Sequence, residues 1–187
     1  MKLSPYPPLL ALILLAVFLL VVTNLAPSGM SLIRLQTAAV ETFNWTQMAR
    51  CAEDDCANWR DGGPRLLAWN WELANAAQWQ ADWLVKHPEC WLAYVKDRTK
   101  PHTAHDCAGE PNLGERVKAA GYGSSYVLEN AAFPMLVIPG VVVQAWLNSK
   151  AGHREAILNP LTLDSGTGIA WSEQGYYIFV SIYGRIR

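Results

Sequence analysis

The stretch that decides the fold is PGVVVQAWLNSKAGHREAILNP, residues 139–160. Pro139 stands where a helix can begin, and the apolar spacing that runs to Trp146 predicts a short helix. His153 follows Gly152 in a stretch otherwise rich in residues that pack into a core. Because the chain has only four histidines, this placement raises the question of which side chains elsewhere in the sequence meet His153.

The composition is that of one folded domain with a terminal extension. The chain has 187 residues, of which 51% are hydrophobic and 17% charged, so it can bury a core and is not a disordered chain. A formal net charge of −1, without any run rich in Lys or Arg, indicates no nucleic-acid partner. We expect most of the nine tryptophans in the core and some along a groove.

The N-terminal residues 1–27 have the pattern of a signal peptide or signal anchor. Lys2 precedes an uninterrupted apolar run at 9–22, a helix-forming length between that of a signal peptide and that of a full membrane span. Cleavage after Ala26 would leave Pro27 next to the cut, which slightly favours an uncleaved anchor. In both cases we expect an extracytoplasmic protein, either secreted or held at the membrane by this segment.

The four cysteines predict disulfide bonds, because an exported chain with an even number of cysteines meets an oxidising compartment. The local pairs Cys51–Cys56 and Cys90–Cys107 are preferred among the three possible connectivities. If 51–56 is helical, however, the first pair points about 100° or more apart around the helix axis. One bridge plus two buried thiols therefore stays an alternative, whereas a four-cysteine zinc site is disfavoured because no C-x-x-C pair occurs.

The first half of the chain predicts helices. Residues 28–40 are interpreted as a linker or pre-helix, and the folded domain is assigned to 41–187. A helix over 40–60 is ended by DGGP, since two glycines and a proline cannot continue it. The segment 65–88 contains an alanine-rich amphipathic helix that stops before Pro88. Its predicted buried face consists of Leu73, Ala77, Ala81 and Leu84.

The second half predicts a long polar loop, short helices and a closing hairpin. A helix over 113–120 stops at a glycine, and an extended segment holds Glu129. Ile169–Trp171 and Tyr176–Tyr183 are predicted to pair as antiparallel strands around the turn SEQG. Helices followed by an antiparallel sheet define the α+β class.

Three polar side chains stand at the ends of predicted elements, where binding groups concentrate. These are His105, Glu129 and His153, and two imidazoles with a carboxylate suit either a divalent metal or proton transfer near neutral pH. Each also has a structural explanation when taken singly. His153 beside Arg154 can cap a helix, Glu129 can accept hydrogen bonds, and His105 beside Asp106 can be a solvated loop pair.

The segment 58–184 resembles the CAP superfamily, which comprises cysteine-rich secretory proteins, antigen 5 and pathogenesis-related proteins. It is most similar to the bacterial-type SCP domains, because five pieces occur in the order typical of that family. The pieces are PRLLAWNWELANAAQWQADWL, AHDCAGEPNLGERVKAAGY with its Arg116, LENAAF, VVVQAWLNSKAGHREAILNP and GTGIAW followed by YYIFVSIYG.

This resemblance implies an α–β–α sandwich with a central antiparallel sheet, here preceded by the N-terminal hydrophobic helix. It also implies a large cleft that contains two histidines and two acidic residues. His105 and His153 match the histidines, and Glu129 matches the first acidic position. Ser149 occupies the second acidic position, which weakens any mechanism that needs two carboxylates. Leu128 replaces the glycine usual before Glu-Asn, so the turn there can differ.

The resemblance favours a binding module over an enzyme, because the family has no established common reaction. We expect a lipid, sterol, peptide or cell-envelope ligand in a cleft formed by His105, Glu129, Ser149 and His153. The alternative is a metal-assisted hydrolase in which His105 and His153 hold zinc and Glu129 polarises the bound water. Under that hypothesis the candidates for a third ligand are His102 and Asp106. A third interpretation is a structural envelope protein without a functional site.

Overall fold

The computed structural model describes residues 31–53, 63–100, 104–105, 107–124 and 126–186. Segment 1–27, Cys56, His102 and Asp106 lie outside the described residues. Leu32–Arg187 form one compact unit. In chain order the helices and strands are α1 (Leu32–Glu53), β1 (Ala68–Trp69), α2 (Trp71–Lys86), a 3₁₀ turn (Pro88–Cys90), α3 (Leu92–Lys96), α4 (Leu113–Ala119), β2 (Val127–Ala132), α5 (Pro139–Leu147), α6 (His153–Ile157), β3 (Asp164–Ser172) and β4 (Tyr176–Gly184).

The four strands form one sheet in the order β1-β3-β4-β2. The three long strands are antiparallel, with Ile169 opposite Phe179 and Glu129 opposite Ile182. The two-residue β1 pairs in parallel with the start of β3. The predicted α+β class and the antiparallel pairing of the closing hairpin are therefore confirmed. The segment around Glu129, predicted to be extended or turning, is a strand of the same sheet.

Helices cover both faces of this sheet, because the side chains of β4 alternate between two hydrophobic cores. Ile178, Val180 and Ile182 pack with α2 in one core. Phe179 and Tyr183 pack with α1, α5 and α6 in the other. The result is the α–β–α sandwich that the sequence predicted.

The core face of α2 agrees with the predicted periodicity. Asn70 caps the helix by accepting a hydrogen bond from Leu73 N at 2.8 Å. All four residues predicted to be buried on this helix have no exposed surface, namely Leu73, Ala77, Ala81 and Leu84.

The first helix begins earlier than predicted. Residues 32–40, interpreted as part of a linker, belong to α1. Ala38 and Ala39 are buried in the second core. The hydrophobic periodicity of 32–40 is weak, because small alanine side chains contribute little to it. The packing of this part of the helix could therefore not be predicted from the sequence. In the part of the chain that the structure describes, no helix is both long and apolar enough to cross a membrane.

The predicted bridge between Cys90 and Cys107 is confirmed, with Cα atoms 5.8 Å apart. It ties the 3₁₀ turn to the loop that carries His105. Cys51 lies near the end of α1, and its pairing with Cys56 stays a prediction.

Candidate functional site

The first half of the site is a carboxylate that holds an imidazole and a guanidinium. Glu129 accepts a hydrogen bond from His105 Nδ1 through Oε1 at 2.8 Å and one from Arg116 Nη2 through Oε2 at 2.6 Å. The Glu129 side chain is 3% exposed, whereas His105 is 33% exposed. Because a carboxylate only accepts, Nδ1 of His105 carries the proton, and the ring is held in one orientation.

Arg116 also binds a second buried carboxylate, Glu110. Nη1 of Arg116 contacts Glu110 Oε1 and donates to Pro111 O at 2.8 Å. Both side chains of the Arg116–Glu110 pair are 1% exposed. Burial raises the pKa of Glu110, and the nearby guanidinium of Arg116 opposes this rise only in part.

Neither the place of Glu110 in the site nor the role of Arg116 was predicted from the sequence. A signal for Arg116 was present, because it lies three residues after Leu113 on the inward side of α4. A charged residue at such a position needs a buried partner.

The second half of the site is His153 with Ser149. His153 Nδ1 and Ser149 Oγ are 2.8 Å apart. His153 opens α6, and Gly152 before it has φ +89°, a left-handed conformation that favours glycine. The glycine noted in the sequence is therefore the turn that brings His153 toward the edge of the sheet.

Strand β2 brings the two halves together through the alternation of its side chains. Glu129 and Asn130 are neighbours, so they point to opposite faces of the sheet. Glu129 holds His105 in one layer, and Asn130 Nδ2 donates to the backbone oxygen of His153 in the other at 3.0 Å. The centroids of the two imidazole rings are 6.4 Å apart. The structure thus brings together all four predicted cleft residues, His105, Glu129, Ser149 and His153.

A cleft of about 250 Å³ opens beside His153, between the end of β2 and α5. Ser149 and His153 line it, but His105 and Glu129 do not. Both carboxylate oxygens of Glu129 are bonded to His105 and Arg116, and direct contact of Glu129 with a ligand stays a prediction. The other lining residues are Tyr94, Arg98, Ala131, Ala132, Phe133, Pro134, Val141, Val142, Ala145 and Trp146.

The described donors do not fit a three-ligand zinc centre. A zinc ion would have to take the Nε2 atoms of His105 and His153, since the Nδ1 atoms contact Glu129 and Ser149. Among the residues that the structure describes, no three His, Cys, Asp or Glu side chains are grouped so as to hold a metal. A catalytic zinc site uses three protein ligands and a water, so we derive no reaction step through a metal.

The sandwich, with a histidine from each helical layer meeting at the β2 edge, defines a protein of the CAP class. The family model for CAP, described as "Cysteine-rich secretory protein family", matches residues 56–183 of the sequence. The chain therefore belongs to this family. Among curated proteins, none matches the chain.

Solved structures share the fold at low sequence identity. An extracellular SCP-domain protein from Bacillus anthracis is 22% identical with a TM-score of 0.55; the match covers 86% of this chain and 45% of that one, so this chain spans under half of that protein. An outer surface protein of Borrelia burgdorferi is 19% identical with a TM-score of 0.55, over 81% and 94% of the two chains. A venom allergen-like protein 4 of Schistosoma mansoni is 19% identical with a TM-score of 0.51, over 79% and 87%.

Proposed function

We propose that the protein is an extracytoplasmic binding module that holds a lipid with an anionic head group in the cleft beside His153. The observation that carries this proposal is the distribution of polarity in the cleft. Val141, Val142 and Phe133 supply apolar wall, whereas Arg98, Ser149 and His153 supply polar groups. Ligand sites are mostly apolar with a few polar groups that fix orientation.

Arg98 gives the site its preference for an anion. Its guanidinium carbon lies 4.5 Å from the centroid of the Tyr94 ring, which orients the cation beside the cleft. An arginine can bind a carboxylate or phosphate through two parallel hydrogen bonds. Pockets for drug-sized ligands measure about 300–1,000 Å³, so a cleft of about 250 Å³ accommodates a head group and the adjoining part of a chain. A sterol with a free hydroxyl lacks the anion that Arg98 would pair.

Two features support an extracytoplasmic location. The apolar run at 9–22 follows a single Lys2, as in a signal peptide or signal anchor. The Cys90–Cys107 bridge belongs to an oxidising compartment. A lipid-binding domain with an uncleaved N-terminal segment would be anchored in the membrane that contains its ligand.

The geometry favours the binding module over the metal-assisted hydrolase. The hydrolase requires Glu129 to polarise a metal-bound water, yet its two oxygens already contact His105 and Arg116. Zinc held by His105, His153 and water is expected to bind weakly, with a Kd on the order of micromolar or poorer. Calorimetry with zinc alone checks this, and heat that persists after His105→Ala with His153→Ala would exclude these ligands.

Lipid extraction of the purified full chain, followed by mass spectrometry, tests the proposal. We expect an anionic lipid to co-purify and oleate to bind. Arg98→Ala should weaken oleate binding at least about tenfold, which corresponds to about 1.4 kcal/mol. Arg185→Ala is the matched control, because Arg185 is also an exposed arginine but lies outside the cleft.

Equal oleate affinity in wild type and Arg98→Ala would contradict the assignment of the head group to this site. Absence of both a co-purified lipid and oleate binding would reject the lipid proposal. Turnover of an ester or peptide that disappears in Glu129→Gln would replace it with the hydrolase.

A further inference from the structure

A second concave site lies between α1 and the start of α2, and it shares no lining residue with the cleft beside His153. Its most prominent feature is Trp71, the first residue of α2, whose side chain is 70% exposed. We propose that this site binds a pyranose ring of an uncharged carbohydrate, with Trp71 as the stacking surface.

The exposed ring is held in place before any ligand arrives. Trp71 packs edge to face against Trp69, with centroids 5.6 Å apart and an interplanar angle of 78°. Trp69 in turn packs edge to face against Phe43, with centroids 5.4 Å apart. A ring fixed in this way loses little conformational freedom on binding, which favours affinity. An indole face that stays rigid and exposed suits the apolar face of a sugar ring.

The walls of the cleft have the polarity that a sugar requires. The cleft measures about 230 Å³ and combines two indole rings with three amides and a hydroxyl. Gln36 and Asn75 are exposed, so their amides can donate to and accept from ligand hydroxyls. The amide of Gln78 is already bonded to the backbone N–H and C=O of Ile169 at 3.0 and 3.1 Å and donates to Asp82 Oδ1 at 3.0 Å, so it forms a fixed polar wall of the cleft. The full lining is Gln36, Ala39, Val40, Trp69, Trp71, Ala74, Asn75, Gln78 and Thr167.

Charge distinguishes a sugar from other ligands that stack on tryptophan. Among the described residues that line this cleft, none is Asp, Glu, Lys or Arg. A nucleotide or a lipid phosphate would need a cation, and an acyl chain would cover the exposed amides of Gln36 and Asn75 without giving them hydrogen-bond partners. A neutral ring that carries hydroxyl groups satisfies both the indole faces and the amides. The volume is below that of pockets for drug-sized molecules, about 300–1,000 Å³, so one ring enters.

The surface of α2 extends this site beyond one ring. Trp79 is 42% exposed and lies eight residues after Trp71, about 12 Å along the helix axis. Asn75 stands between them, because residues four apart share a helix face. Trp79 and Asn75 also line a neighbouring cavity of about 380 Å³. A short oligosaccharide can therefore contact both indole rings along α2.

The experiment uses the full chain in a zwitterionic detergent, because a maltoside head group is itself a sugar. The probes are cellotriose, maltotriose and tri-N-acetylchitotriose, followed by calorimetry and ligand-observed NMR. We expect at least one trisaccharide to bind, and Trp71→Ala to weaken it about tenfold or more. Trp71→Tyr should retain most of the affinity, because it keeps an aromatic face.

Trp45→Ala is the matched control, because Trp45 is 45% exposed but lies outside this cleft. Circular dichroism checks that each variant is folded. No binding of any trisaccharide by wild type, or equal binding by Trp71→Ala, would overturn the proposal. So would binding to phosphatidylcholine vesicles that depends on Trp71 while the trisaccharides do not bind, since that result assigns the ring to a membrane surface.

Discussion

The buried part of the site contains two carboxylates but one guanidinium, so its charges are unequal in number. Arg116 serves two carboxylates, Glu110 and Glu129, and all three side chains are 3% exposed or less. His105 is the next side chain in the network, through its contact with Glu129. Because charges in a protein interior are stable only when they are paired, removing one carboxylate should be better tolerated than removing the arginine.

Glu110→Gln tests this imbalance through pH. Burial raises the folded-state pKa of Glu110 above its ordinary value, so the folded protein holds this proton to a higher pH than the unfolded chain does. The Glu110 contribution to stability is therefore fully present below the ordinary glutamate pKa and is lost as pH rises through the raised value. We expect the difference in unfolding free energy, wild type minus Glu110→Gln, to fall as pH rises from about 4.3.

Urea denaturation at a series of pH values from 4 to 8 measures this difference. Its slope should not exceed about 1.4 kcal/mol per pH unit, the limit for one proton. Glu173→Gln is the control, since Glu173 is exposed in the hairpin turn and should show no such slope. A difference that rises with pH would mean that the pairing with Arg116 dominates over burial.

Part of this site could be predicted from the sequence, and individual residues show why the rest could not. The positions of His105, Glu129 and His153 at the ends of predicted elements suggested a shared site, and the resemblance strengthened that prediction, because separations along the chain carry no geometry. Glu110 received no role from the sequence, since nothing in it marks which loop carboxylate turns inward. That choice depends on where α4 places the guanidinium of Arg116, which is a tertiary contact.

At the scale of the elements, two glycines set how closely α2 approaches the sheet. A Cβ on Gly166 would lie 2.0 Å from Ala74 N, and one on Gly168 would lie 2.2 Å from Gln78 N. Both glycines are in β3, two residues apart on one face, and they meet α2 at positions four apart. The helix backbone therefore rests directly on the strand.

This contact also explains why the predicted first strand of the hairpin is too short at its N-terminal end. The sequence placed the first strand at Ile169–Trp171, whereas β3 begins at Asp164. Glycines have low strand propensity, so SGTG was not assigned to a strand. Their presence reflects the approach of α2, which the local sequence does not encode.

Gly168→Ala should destabilise the fold by about 3 kcal/mol or more, because overpacking a core commonly costs about 1–3 kcal/mol and the obstruction is helix backbone rather than a side chain. The free energy of unfolding in urea measures the loss. Gly123→Ala is the matched control, since a Cβ there meets nothing within 4 Å. A loss equal to that of the control would show that α2 can move away from β3 at little cost.

At the scale of the whole molecule, the site depends on joining the two helical layers at one edge of the sheet. His153 is fixed from the layer of α5 and α6, and its backbone is held by the strand residue Asn130. His105 comes from a loop in the opposite layer, between α3 and α4. The described residues of that loop form turns and bends and no helix or strand, so their position depends on cross-links to their surroundings. The Cys90–Cys107 disulfide is a covalent cross-link between this loop and the 3₁₀ turn.

The double variant Cys90→Ala with Cys107→Ala tests this role. The bridge spans a sequence separation of 17, and closing a loop of such length stabilises a fold by about 3 kcal/mol in the chain-entropy account. We expect a loss of about that size in urea denaturation, with faster hydrogen exchange in the loop that carries His105. Exchange in β3 and β4 should change only as much as global stability does. Unchanged exchange in the loop would show that noncovalent contacts, such as those of Glu129 with His105 and of Gln80 with the backbone oxygen of Ala104, hold the loop without the bridge.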